Sequence, residues 1–261
     1  EIATKARSPV NPPCICEAQQ TIREERAAKQ MAQQEAEELQ GRLHEQQELY
    51  EQAIPYFSRA AEVQPLEAKW KLMVASCHRR LGSFQQAINE GGRLNRLSDE
   101  LKVERDEFVY RSYVGQGQYA LVISEVDDDA PVNLRAVKLL AEYLENPSGT
   151  RDGVVETLGT WLTEKETREN STVQLVAAII YQREDLQKEA FTALKKQSTM
   201  EQTALWAQMC LQINRCDLAE QSFKKLEAID EDATLTQLVG AWINLHKGGD
   251  NTKEAAYTYE E

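Results

Sequence analysis

Between Leu49 and Ala87 small and large apolar residues recur three or four positions apart, the spacing that places them on one face of a helix. Tyr50, Ala53, Phe57 and Ala60 form one such series, and Pro65 ends it because proline cannot continue a helix. In the same register Gly41 holds the small position of a preceding helix. One unit later Ala75 holds it, Gly82 marks a turn, and Phe84 and Ala87 follow in the next helix. Small residues recur where the two helices of a hairpin approach closely, and large ones interlock with the neighbouring hairpin. A register that survives a unit boundary predicts an array of helical hairpins.

The order of packing aromatic, small residue, bulky residue, small residue and helix stop is that of the 34-residue tetratricopeptide (TPR) repeat. The fold class predicted is all-α: a TPR-like helix-turn-helix solenoid, coiled as a right-handed superhelix, with an N-terminal helical arm. Residues 1–16 hold Pro9, Pro12 and Pro13 without an apolar period, and read as a mobile leader that adds nothing to stability. Residues 17–47 read as the helical arm leading into the first repeat. Its apolar positions, Ile22, Met31, Leu39 and Leu43, do not sustain the heptads of a coiled coil, which favours a solvated helix over a partner-recruiting one. Residues 48–261 form the solenoid.

Past Gly82 the pattern continues more loosely. Asp99 to Val114 is predicted as an amphipathic helix through Leu101, Phe108, Val109 and Tyr113, and Gly117 with Tyr119 repeats the turn-plus-aromatic pattern. Asn133 to Leu144 is the next helix, closed by a loop over Asn146, Pro147, Ser148 and Gly149, with Gly153 to Leu162 as its partner. Thr172 to Tyr181 opens a hairpin with Ala178 at the small position, then Ala190 and Leu194. The following one carries Ala207, Ala219, Phe223 and Leu226. Thr234 to Leu245 starts the last, Gly248 and Gly249 turn it, and its second helix from Ala255 is short, so further repeats are expected after Glu261.

In this architecture the first helix of each hairpin lines a concave groove, with repeat positions 2, 5, 9, 12 and 13 turned toward a guest. The partner-binding candidates are therefore Lys69, Ser76, Arg79 and Arg80, then Gln182 and Arg183, then Gln208 and Gln212. Such residues have no core role, so each is either a partner contact or simply part of a wet helix face. Guanidiniums and amides suit a partner's backbone and carboxylates.

Composition narrows the partner. The net charge of −13, from 30 Lys and Arg against 43 Asp and Glu, argues against nucleic acid or anionic lipid, both of which need a basic footprint. No apolar run is long enough to insert in a membrane. Cys14 and Cys16 are spaced too closely for a zinc knuckle, and Cys77, Cys210 and Cys216 read as buried thiols of a reducing compartment. The acidic runs Asp127 to Asp129 and Asp230 to Asp232 lack the glycine and glutamate of a calcium loop, and read as solvated turns. Cys77 and His78, adjacent on a helix, point about 100° apart. No catalytic constellation and no cofactor or metal site is implied.

From Gly82 to Glu261 the chain resembles the coatomer epsilon subunit family. The segments that carry the likeness are VERDEFVYRSYVGQGQYALVISEVDDDAPVNLRAVKLLAEYL, LAEQSFKKLEAIDEDATLTQLVGAWINL and KGGDNTKEAAY. The resemblance implies a non-catalytic scaffold of the coat of Golgi-to-endoplasmic-reticulum and intra-Golgi vesicles, cytoplasmic and peripheral on Golgi membranes. Its implied partner is the alpha subunit's C-terminal domain. Residues from about Glu48 to Arg80 also resemble a repeat of the TPR subunit of the intraflagellar-transport B complex, which implies a ciliary scaffold instead. The two likenesses meet at the Leu81 to Ser83 turn, so the chain reads as a composite.

Overall fold

The computed structural model describes residues 50–63, 68–94, 97–231 and 233–260, together with Gln30 and Gln40, both helical. The expected leader over 1–16, nearly all of the arm over 17–47, and the register positions Gly41 and Pro65 lie outside the described residues. Among those described, the regular structure is helical throughout. In chain order the helices are α1 (Tyr50–Val63), α2 (Ala68–Arg80), α3 (Phe84–Gly92), α4 (Asp99–Gly115), α5 (Tyr119–Glu125), α6 (Val132–Glu145) and α7 (Pro147–Thr163). They continue as α8 (Lys165–Arg168), α9 (Ser171–Arg183), α10 (Gln187–Ala193), α11 (Met200–Gln212), α12 (Cys216–Ile229), α13 (Thr234–Lys247) and α14 (Asn251–Glu260).

Two rows result. Helices α2, α4, α6, α9, α11 and α13 are the first helices of successive hairpins, and each contacts the next in the row. The residues at the small positions explain how they come so close. Ala75, Ala178, Ala207 and Ala241 are all at most 1% exposed, and a larger side chain at any of them would hold neighbouring helices apart. The bulky members fill the remaining space: Phe57, Leu158, Leu194 and Leu226 are fully buried, and Phe57 stacks on Trp70 at 6.2 Å between ring centroids. The interior divides into separate clusters, each bridging adjacent hairpins, as expected of an array that buries its apolar surface repeat by repeat.

Four of the hairpin turns share one geometry. Gly82, Gly117, Asp185 and Asn214 have φ between 57° and 76°, and the following amide in each donates to the carbonyl five residues back, at 2.8–2.9 Å. This is the helix-ending motif in which a left-handed residue satisfies the last carbonyls. Glycine marks two of these turns in the sequence, whereas Asp185 and Asn214 reach the same conformation through residue types that tolerate it. Asn214→Ala is therefore expected to cost about 1 kcal/mol, while Asn214→Gly costs nothing or stabilises. Urea midpoints of the two variants check this, and an alanine variant as stable as the glycine variant would contradict the turn.

The structure corrects two expectations. The helix foreseen as amphipathic, α4, is half-buried around most of its circumference because α2, α3, α5 and α6 all touch it. Polar residues such as Arg105, Asp106, Glu107 and Arg111 are consequently half-buried along with its apolar ones, and Ser112, fully buried, donates to the Phe108 carbonyl at 2.7 Å. The stretch from Pro147 to Gly149 is the first turn of α7, not a loop. Asn146 caps it by accepting from the Gly149 amide at 3.1 Å, with Pro147 at the first helical position where a missing N–H costs nothing. The helix thus starts six residues before the expected Gly153.

Candidate functional site

The concave row brings some of the candidate residues together and buries others. Gln182 and Arg183, at the end of α9, face Gln208 and Gln212 on α11 across a recess of about 370 Å³, whose floor is Ile179 and Leu205. Amides and a guanidinium over an apolar floor make a surface able to hydrogen-bond a guest's backbone while covering its apolar side chains. The recess continues through Ile179 into a second one of about 340 Å³, which runs between α2, α4, α6, α9 and α11. Arg80, Glu201 and Leu235 join that one to a third, of about 240 Å³, between α1 and the start of α13.

The α2 candidates depart from expectation. Ser76 is 6% exposed and Arg79 8%, so neither is the solvated groove residue foreseen for its position. The curl of the solenoid is tight enough that the end of α2 meets the start of α11, 122 residues later. There Arg79 Nη1 donates to Glu201 Oε1 at 3.1 Å, and Arg111 on α4 donates to Glu201 Oε2 at 2.5 Å. The Arg79 guanidinium also lies 5.5 Å from the Phe108 ring centroid. Arg80 stays exposed but is held over Tyr50, donating to its hydroxyl at 2.7 Å, and the Lys69 ammonium sits 5.1 Å from the Trp70 ring.

Electrostatics explains why this polar knot is tolerated. Burial pushes the Glu201 carboxyl up, but Arg111 and Arg79 outweigh it and bring it down to about 2. Burial, then Arg111, lowers Arg79, against the opposing pull of Glu201. Beside them Glu107 on α4 accepts from Asn133 of α6 at 2.7 Å and from Thr172 of α9 at 2.6 Å. Buried Gln202 spends both ends of its amide, accepting from the Ser198 amide and donating to the Ser171 carbonyl and to Gln174. Buried charge is costly unless paired, and Arg79, Arg111 and Glu201 pair with one another, although the buried Nε of Arg79 has no hydrogen-bond partner among the described residues.

Sequence reading missed Glu107, Arg111, Thr172 and Glu201 as members of the concave surface. The signal was present: counted in the register of Ala75, Ala178 and Ala207, or from the Gly117 turn for α4, they fall at groove positions 5, 9, 2 and 2 respectively. What the register lacks is the curvature that turns groove positions of distant repeats toward each other.

No group of His, Cys, Asp and Glu side chains able to hold a metal ion occurs among the described residues. Cys77 and Cys210 are buried, and burial raises the Cys210 thiol to about 11, which keeps it protonated and inert near neutral pH. Among the described residues no helix is long and apolar enough to cross a membrane.

Comparison with known proteins connects this geometry to a family. The model of the coatomer epsilon subunit family matches residues 79–261, and a tetratricopeptide-repeat model matches residues 38–92. Coatomer subunit epsilon-2 of Arabidopsis thaliana is 41% identical over 181 residues, which covers 69% of this chain and 61% of the relative. Coatomer subunit epsilon of Dictyostelium discoideum is 34% identical over 188 residues, covering 69% and 63%. The chain thus spans somewhat under two thirds of the length of these curated relatives. The human intraflagellar transport protein 88 homolog is 54% identical over 33 residues, only 13% of this chain and 4% of the relative. With the family model matched along the whole row from α4 to α14, the chain belongs to the coatomer epsilon subunit family.

Proposed function

We propose that the chain is a non-catalytic scaffold subunit of the coatomer (COPI) vesicle coat. In this reading it binds and stabilises the C-terminal domain of the alpha subunit, in the cytoplasm and peripherally on Golgi membranes and coated vesicles, in Golgi-to-ER and intra-Golgi transport. The observation that carries it is the family match over residues 79–261, which takes in every concave helix from α4 onward. The recess between α9 and α11, with Arg183, Gln182, Gln208 and Gln212 around it, is the contact surface in this reading. Arg80 lines the adjoining recesses and Lys69 lies on the same helix α2, whereas Ser76 and Arg79 are buried in the fold. The same proposal divides the chain into a leader over 1–16, an arm over 17–47 and the solenoid over 48–261.

A second reading, a TPR scaffold of the intraflagellar-transport machinery in the cilium, rests on the 33-residue likeness to the human protein. Size-exclusion chromatography separates the two. The chain mixed with the coatomer alpha C-terminal domain is expected to elute with it in one earlier peak. Separate elution from that domain, together with co-elution with intraflagellar-transport subunits, would overturn the first reading in favour of the second.

A further inference from the structure

A recess of about 290 Å³ shares no lining residue with the concave trough. Leu162, at the end of α7, supplies its apolar wall, Gln174 of α9 lies at its floor, and Arg168, Glu169, Lys195 and Lys196 stand around its mouth. Gln174 is already committed, donating to the Arg168 carbonyl at 2.8 Å and accepting from Gln202 at 3.1 Å, so the interior offers a guest apolar contact more than hydrogen bonds. The charges at the mouth are uncommitted. Arg168, Lys195 and Lys196 are exposed and make no ion pair among the described residues, whereas Arg79 and Arg111 in the trough are drawn onto Glu201.

Three cations against the single carboxylate of Glu169 form a local positive field on a chain whose net charge is −13. An acidic ligand is repelled by most of such a surface and drawn to this point. An anionic membrane needs a broad basic face, which a chain with a net charge of −13 is poorly placed to offer. A peptide needs only the mouth for its carboxylates and the recess for one side chain.

We propose that this recess binds an acidic peptide segment of a partner protein, with its carboxylates on Arg168, Lys195 and Lys196 and one bulky apolar side chain against Leu162. Exposed ion pairs are individually weak, so the interaction is salt-sensitive and depends on the apolar anchor for its position. The site is independent of the coatomer reading and of the groove between α9 and α11.

Fluorescence anisotropy with the fluorescein-labelled peptide EDEDFEDE tests it on the full chain. The double variant Lys195→Glu, Lys196→Glu is expected to weaken binding at least ten-fold with an unchanged melting temperature. Lys102→Glu with Lys253→Glu, the same change in net charge on distant hairpins, is expected to stay within two-fold. Replacing the peptide's phenylalanine by serine is expected to weaken binding several-fold. Equal losses in both double variants, or no effect of the phenylalanine, would mean diffuse electrostatics and overturn the proposal. So would retention of peptide binding by the first variant, or binding to vesicles containing 30% phosphatidylserine without binding to the peptide.

Discussion

Glu201→Ala is expected to lower stability by about 3–5 kcal/mol, because it leaves the buried Arg79 charge with no counterion and sets it against Arg111. The side chain of Arg79 is 8% exposed, so its charge gains little solvent when the carboxylate is lost. If the cost comes from unpaired charge, the triple variant Arg79→Met, Arg111→Met, Glu201→Leu recovers most of it, since a well-packed apolar replacement of a buried ion cluster is often neutral or better. A triple variant less stable than Glu201→Ala would contradict this.

The same carboxylate sets a pH dependence with a definite sign. Its pKa is about 2 in the folded chain against 4.5 as its ordinary value, so folding favours the ionised form. The contribution is complete above about pH 4.5 and is lost as the pH falls toward 2, amounting to roughly 3 kcal/mol over that window. In Glu201→Gln the corresponding part of the acid-unfolding curve is expected to flatten. Acid curves of equal steepness in the two proteins would show that the carboxylate is not held down.

Ala178→Trp is expected to cost at least about 3 kcal/mol, near or beyond the upper end usual for overpacking, because Ala178 is fully buried within the cluster shared by α6, α7, α9 and α10. Neighbouring first helices are in direct contact there, so an indole must force the row open rather than fill a void. Ala256→Trp on exposed α14 is the control and is expected to leave the melting temperature nearly unchanged. Equal melting temperatures for the two variants would mean that the small-residue register does not mark helix contacts.

That register was the most legible part of the chain. Ala53, Phe57, Ala60, Ala75 and Ala87 gave the period, and Ala178, Ala190, Ala207 and Ala219 continue it as buried contact residues. Local chemistry was less legible where a residue acts atypically. Asp185 and Asn214 turn hairpins without glycine, and Asn146 caps a helix that Pro147 and Gly149 disguise as a loop. Least legible was the trough. A repeat pattern states which side of a helix faces inward, but the pairing of Arg79 with Glu201 depends on the accumulated rotation of the intervening hairpins, a long-range quantity that no local spacing encodes. For that reason Arg79 and Ser76 seemed free to meet a partner when they instead lie inside the fold.

In the proposed function the concave face between α9 and α11 receives the partner. Isothermal titration of the coatomer alpha C-terminal domain into the wild-type chain, and into the variant with Arg183, Gln208 and Gln212 all replaced by alanine, tests this directly. Removing a guanidinium and two amides from a desolvated contact is expected to weaken binding at least ten-fold, about 1.4 kcal/mol, with an unchanged melting temperature because Arg183 and Gln212 are exposed and Gln208 half-buried. Unchanged affinity in the triple variant would contradict the account and move the contact to another face of the solenoid.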